Sequence, residues 1–215
     1  MIVLIGATKG GNGKSLLACN LAAKRASEGL DVLLLDGDRQ GSASLWSELR
    51  AETEPKITCM QKFGKGLQTE IRALAPKFDD IVIDCGGYDS LELRAALVCC
   101  HKVYIPTQPG QFDVDALYNM EELIENARQY NNELQARVLV TRVSTNPVLH
   151  VEALEVYAFV EKECPNLSMA SHLIYERVAW RRCLREGLAV FEMKPKDMKA
   201  VAELDRLYEE IWRGV

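Results

Sequence analysis

The stretch Lys9-Gly10-Gly11-Asn12-Gly13-Lys14-Ser15 follows directly on the apolar run Ile2-Val3-Leu4-Ile5. An apolar run feeding a glycine-rich turn that ends in Gly-Lys-Ser has the form of a strand leading into a phosphate loop. In such a loop backbone N–H groups, here those of Gly10, Gly11, Asn12, Gly13, Lys14, Ser15 and Leu16, curl around phosphates. The lysine reaches the β and γ oxygens, and the hydroxyl goes to Mg²⁺. The common form of the motif has glycine five residues before Gly13, where this chain has Thr8, and a second lysine, Lys9, opens the loop.

Around this segment the chain reads as one α/β domain over residues 1–215. With 215 residues and 48% apolar composition it is long enough for one well-buried core and short for two. Short apolar runs at 2–6, 32–36, 57–60, 81–84, 102–106, 137–141 and 168–174 predict strands. Several are continuously apolar, as in strands buried on both faces of a parallel sheet. Between them, helical periodicity predicts helices over 14–28, 42–51, 67–75, 91–98, 114–128, 148–163, 177–186 and 197–213. This alternation predicts a single doubly wound, mostly parallel sheet with helices on both faces. No repeat, linker or low-complexity segment interrupts it, and no apolar run of about eighteen residues offers a membrane span. The N-terminus starts in a strand without a basic, cleavable leader. Seven cysteines, an odd number with no C-x-x-C pair, predict reduced thiols in a cytoplasmic protein.

In an open α/β sheet, ligands bind at the carboxyl ends of the strands. The second run ends in Asp36-Gly37-Asp38-Arg39-Gln40-Gly41-Ser42, and the fourth in Asp84-Cys85-Gly86-Gly87. A buried strand ending in aspartate before small residues suits a carboxylate that serves Mg²⁺ beside phosphates, which makes Asp84 a metal candidate.

The two-lysine loop resembles the deviant Walker A box, KGGxGK[ST], of the ParA/MinD family of P-loop ATPases, most closely the small partition proteins resembling ParF. The resemblance continues in order along nearly the whole chain. It implies ATP and Mg²⁺ as ligands and slow, Mg-dependent hydrolysis to ADP and phosphate. It also implies an ATP-dependent sandwich homodimer, with Lys14 acting in its own subunit and Lys9 on the nucleotide held by the partner. Asp36-x-Asp38-x-Gln40 resembles the Walker A′ segment DxDPQ; by that resemblance Asp38 orients the attacking water, and Asp36 supports Ser15 and the metal. Arg39 stands where the family has proline and brings a cation near the phosphates. Trp46 matches a tryptophan of the ParF-like branch, or simply packs its helix on the sheet. The segment from Ile105 to Asp113 is similar to a proline loop at the dimer interface, and Arg142, Tyr175 and Glu176 fall at the family's base-binding rim.

Three tasks for the nucleotide compete. Arg177, Arg181, Arg182 and Arg185 recur along one side of a helix, followed by Lys194, Lys196 and Lys199. In relatives such residues hold DNA phosphates, which implies non-specific DNA binding, nucleoid association and release on hydrolysis stimulated by a ParB-like centromere-binding or cargo adaptor protein. The net charge of −5 restricts any DNA contact to such a local patch. A MinD-like spatial regulator would need a basic amphipathic helix at its C-terminus. Here the apolar stripe 201, 204, 207, 208, 211, 212 has a mostly acidic polar face, which predicts docking on the domain rather than on a membrane. A metabolic or metal-handling P-loop ATPase would need cluster cysteines. Cys85 follows Asp84, but no second cysteine stands in a matching context.

Overall fold

The computed structural model describes residues 1–109 and 114–214. Its strands are β1 (Ile2–Ala7), β2 (Val32–Asp36), β3 (Thr58–Gln61), β4 (Asp80–Gly86), β5 (Lys102–Thr107), β6 (Gln135–Val140) and β7 (Ser168–Met169). Its α-helices are α1 (Lys14–Ser27), α2 (Ser42–Leu49), α3 (Leu67–Leu74), α4 (Leu91–Cys99), α5 (Val114–Arg128), α6 (His150–Glu163), α7 (Val178–Arg185) and α8 (Met198–Trp212). The strands form one seven-stranded sheet in the order β3-β2-β4-β1-β5-β6-β7. Every strand pair in it is parallel.

The continuous apolar runs are explained by two cores, one on each face. Alternate residues of one strand feed opposite cores: Ile2 and Leu4 point to one side, Val3 and Ile5 to the other. The first side carries α3, α4, α5 and α6, and the second carries α1, α2, α7 and α8. Trp46 is fully buried in the second core, and its indole N–H donates to the Leu188 carbonyl at 3.0 Å. It therefore packs α2 against the sheet side. The apolar stripe of α8 is likewise consumed: Leu204, Leu207, Tyr208 and Ile211 are all buried. At roughly 2 kcal/mol for each fully buried large side chain, peeling this helix away would cost several kcal/mol. No helix among the described residues is long and apolar enough to cross a membrane. All seven cysteines are free thiols.

The last strand is shorter than its apolar run predicts. Ala170 N–H donates to Val138 O and Ile174 N–H to Val140 O, so four steps of one strand span two of its neighbour. The excess bulges outward because the Ser171 N–H turns to the buried Glu210 carboxylate at 2.9 Å. Pairing returns only as the isolated bridge between Val143 and Tyr175. Of the expected proline loop, residues 105–109 close β5, and residues 110–113 lie outside the described residues.

Gly86 ends β4 beside β1 with φ 120°, and a Cβ there would meet the Ala7 carbonyl oxygen at 2.3 Å. The contact is with backbone, which cannot rotate away. Gly86→Ala should therefore destabilise the fold by at least about 2 kcal/mol, read as a fall in the urea midpoint.

Candidate nucleotide site

The loop after β1 reaches its shape through Gly11 (φ 82°) and Gly13 (φ 87°), a left-handed backbone that side chains strain. It delivers the chain into α1, whose first turn carries no side-chain cap and no acidic residue. The positive end of that helix is therefore available to an anion. Lys14 is buried, and its Nζ donates to the Lys9 carbonyl at 3.1 Å, which holds the ammonium over the loop.

Residues far away in sequence fasten the loop. The Asn12 side chain donates to Pro106 O (3.0 Å), Thr141 Oγ1 to Asn12 O (3.1 Å), Gln108 Nε2 to Gly11 O (2.8 Å) and Arg142 to Gly11 O (3.2 Å). Thr8, where glycine is usual, donates through its hydroxyl to Ala116 O at 3.2 Å and ties the loop to α5. The ends of β5 and β6 thus act as the loop's frame. Gln108 and the frame role of Thr141 were not legible from sequence, because hydrogen bonds to backbone carbonyls leave no motif.

Asp36 and Asp84 stand directly opposite each other on β2 and β4, and both are fully buried. Their surroundings differ. Asp36 accepts from the Ser44 N–H and hydroxyl, each at 2.8 Å, and from the Asp38 N–H at 3.1 Å. It is a brace for the turn between β2 and α2. Neither oxygen of Asp84 has a hydrogen-bond partner of normal geometry. Burial pushes its carboxyl up to about 7; the Ser15 hydroxyl and the Lys14 charge pull it down, while Asp36 and Asp38 add to the rise. A buried carboxylate with two open oxygens beside a hydroxyl and an ammonium fits a divalent cation. Asp38 follows on the same turn, its carboxylate accepting from the Gln40 N–H at 3.0 Å.

Two adjoining clefts open over these groups. One, of about 540 Å³, is walled by Gly10, Lys14 and Ser15 on one side, by Asp38, Arg39 and Gln40 on another, and by Gly86 and Gly87. The second, of about 260 Å³, shares Gly11, Gly13 and Leu16 with it and continues between Ile174, Tyr175 and Trp180. Arg142, at φ 54°, crosses its mouth to Glu176 at 2.9 Å. An apolar slot beside a polar, cation-walled cleft has the shape of a site for a base and its phosphates.

The model of the CobQ/CobB/MinD/ParA nucleotide-binding domain matches residues 3–190. The chain belongs to this family. A relative named maintenance of carboxysome distribution protein A, from Gloeobacter kilaueensis, is 30% identical over 95% of this chain and 92% of its own length. Its namesake from Halothiobacillus neapolitanus is 23% identical over 94% of this chain and 92% of its own length. The structure of a Cyanothece McdA variant in complex with ATP superposes with a TM-score of 0.77 at 16% identity, covering 100% of this chain and 96% of that one.

In this member of the CobQ/CobB/MinD/ParA family the four expected DNA arginines separate. Arg177 is drawn inward by Glu203 of α8, at 2.6 and 2.8 Å, and is only 15% exposed. Sequence spacing alone could not place Glu203 there. Arg181, Arg182 and Arg185 remain exposed, Arg181 within 3.6 Å of Glu176 and Arg182 within 3.2 Å of Glu186. Arg181 and Arg185 also line the slot, so this face and the nucleotide site share one helix.

A carboxyl raised from 3.8 to about 7 costs stability once the unfolded chain ionises and the folded one does not. Without nucleotide and metal, stability should therefore fall by on the order of 4 kcal/mol as pH rises from about 4 to about 7, then level off. Asp84→Asn should remove that slope and be the more stable protein at pH 8, in urea melts across pH.

Proposed function

We propose that this chain is a ParA-type positioning ATPase. It binds ATP with Mg²⁺ at the paired clefts and closes into a sandwich dimer. It holds non-specific DNA while ATP is bound and lets go on hydrolysis. The observation that carries this reading is Asp84, buried without a hydrogen-bond partner of normal geometry and within the influence of Lys14 and Ser15, which both wall the phosphate cleft. The carboxysome-distribution names of two relatives support a task of placing cargo, and in this reading a ParB-like or cargo adaptor protein is the stimulating partner.

Each residue has a distinct part. The loop N–H groups from Gly10 to Leu16 and Lys14 bind the phosphates, with the α1 terminus adding its dipole. Ser15 and Asp84 would hold the cation, which when bound neutralises charge on the β- and γ-phosphates. Asp36 acts behind them by fixing the turn, and Asp38 on that turn orients the attacking water. Arg142, Tyr175 and Glu176 enclose the base. Lys9, at the loop's outer end, serves the nucleotide of the second subunit. The exposed arginines Arg181, Arg182 and Arg185, with Lys194, Lys196 and Lys199 nearby, form the DNA face, while Arg177 anchors α7 to α8. The burial of α8's apolar stripe argues against a lipid-bound role.

Lys14→Ala should abolish ATP binding in a fluorescent-nucleotide titration, and unchanged affinity would break the assignment. Lys9→Ala should keep ATP affinity within about threefold yet lose the ATP-dependent dimer in analytical ultracentrifugation. Reversing Arg181 and Arg182 to glutamate should leave the dimer intact and weaken duplex-DNA binding at least about tenfold at low salt. Dimers that bind DNA as tightly as wild type would remove the α7 face from the proposal.

A further inference from the structure

Arg39 occupies the turn that carries Asp38, and it lines the same cleft as Lys14 and Ser15. Its backbone surroundings are fixed on both sides: Asp38 N–H donates to Asp36, Gln40 N–H to Asp38, and Gly41 N–H to Asp38 O. The side chain is held far more loosely. Its guanidinium rests over the Phe63 ring, 5.5 Å from the centroid, and among the described residues it closes no ion pair. The Arg39 charge reaches Glu92, whose carboxylate accepts from the Gly64 N–H at 2.8 Å.

These energies are unequal. An exposed cation–π contact is weak. A hydrogen bond between a guanidinium and a charged acceptor is stronger, and the planar fork can make two. A phosphate group in the cleft would therefore outcompete Phe63 for Arg39. No rearrangement of the turn is required, only of the side chain.

We propose that Arg39 is a catalytic residue supplied in cis: it leaves Phe63 and donates to the terminal phosphate as charge develops there. The inference rests on the reading of the cleft as an ATPase site. In that reaction a water oxygen bonds to the γ-phosphorus while the bond to the bridging oxygen breaks. The electron pair leaves with ADP, and the water's proton is released with inorganic phosphate. Arg39 transfers nothing; it stabilises the oxygens on which charge accumulates. Lys9 needs a second subunit to act, whereas Arg39 sits in the same subunit as the nucleotide. Turnover then depends less on a basic group brought by a stimulating partner, and the unstimulated rate carries the contribution of Arg39.

The test compares wild type with Arg39→Ala, whose exposed position leaves the fold intact by circular dichroism. Three quantities are read with Mg²⁺: affinity for ATP and ADP, unstimulated kcat, and retention of ADP in the presence of aluminium fluoride, which mimics the transferring phosphoryl group. The expected outcome is nucleotide affinity within about threefold of wild type, kcat reduced at least about tenfold, and loss of fluoride-dependent ADP retention. Unchanged kcat and retention in a protein that binds and hydrolyses ATP would overturn the role of Arg39 alone. A fall in ATP affinity as large as the fall in kcat would make Arg39 a ground-state anchor and overturn the catalytic assignment. A wild-type protein that binds no ATP would overturn this inference together with the reading beneath it.

Discussion

Two carboxylates face each other across β2 and β4 in a part of the sheet that excludes water, and only one of them is satisfied. Asp36 takes two hydrogen bonds from Ser44 in the first turn of α2 and one from the Asp38 N–H, whereas neither oxygen of Asp84 has a hydrogen-bond partner of normal geometry. Placing two like charges side by side in a dry site is unfavourable, and burial forces the unsatisfied one toward its neutral form near pH 7. A divalent cation reverses that balance, because it supplies the opposite charge that the protein withholds. The fold thus keeps a destabilised group where a ligand can relieve it, and a ligand that binds only the folded state stabilises it by mass action.

The rest of the site depends on the sheet order that surrounds this pair. β1 sits between β4 and β5, so its loop emerges beside Asp84 on one side and Pro106, Gln108 and Thr141 on the other. Those carbonyl and amide contacts fix a glycine-rich segment that would otherwise sample many conformations. The segment after β7 and helix α7 supply the slot of Ile174, Tyr175 and Trp180, which shares Gly11, Gly13 and Leu16 with the larger cleft.

Helix α7 links that surface to the outer face of the molecule. Its Trp180 and Cys183 are buried against the sheet, Arg177 is tied to Glu203, and Arg181 reaches Glu176 at the slot's mouth. Glu176 also holds Arg142, which in turn holds the Gly11 carbonyl. A chain of charged contacts therefore runs from the phosphate loop to the exposed arginines.

Local chemistry made much of this legible in the residues. Continuous apolar runs predicted six of the strands to within a residue or two, because strands buried on both faces leave no room for polar alternation. The glycine-lysine loop and the aspartates ending β2 and β4 could be read as a phosphate and metal site because parallel strands bring their carboxyl ends together. Other features were not legible. The seventh strand ends after Met169 because Glu210, from α8, captures the Ser171 N–H. Arg177 leaves the basic face because Glu203 meets it, and Asp36 differs from Asp84 because Ser44 caps the first, while among the described residues none makes a hydrogen bond of normal geometry to the second. By itself the sequence determined the sheet, the loop and the set of candidate groups, since these follow from short-range pattern and composition. Tertiary structure alone decided which charges are paired and which stand open, because each pairing joins residues that only the packed fold brings within hydrogen-bond reach.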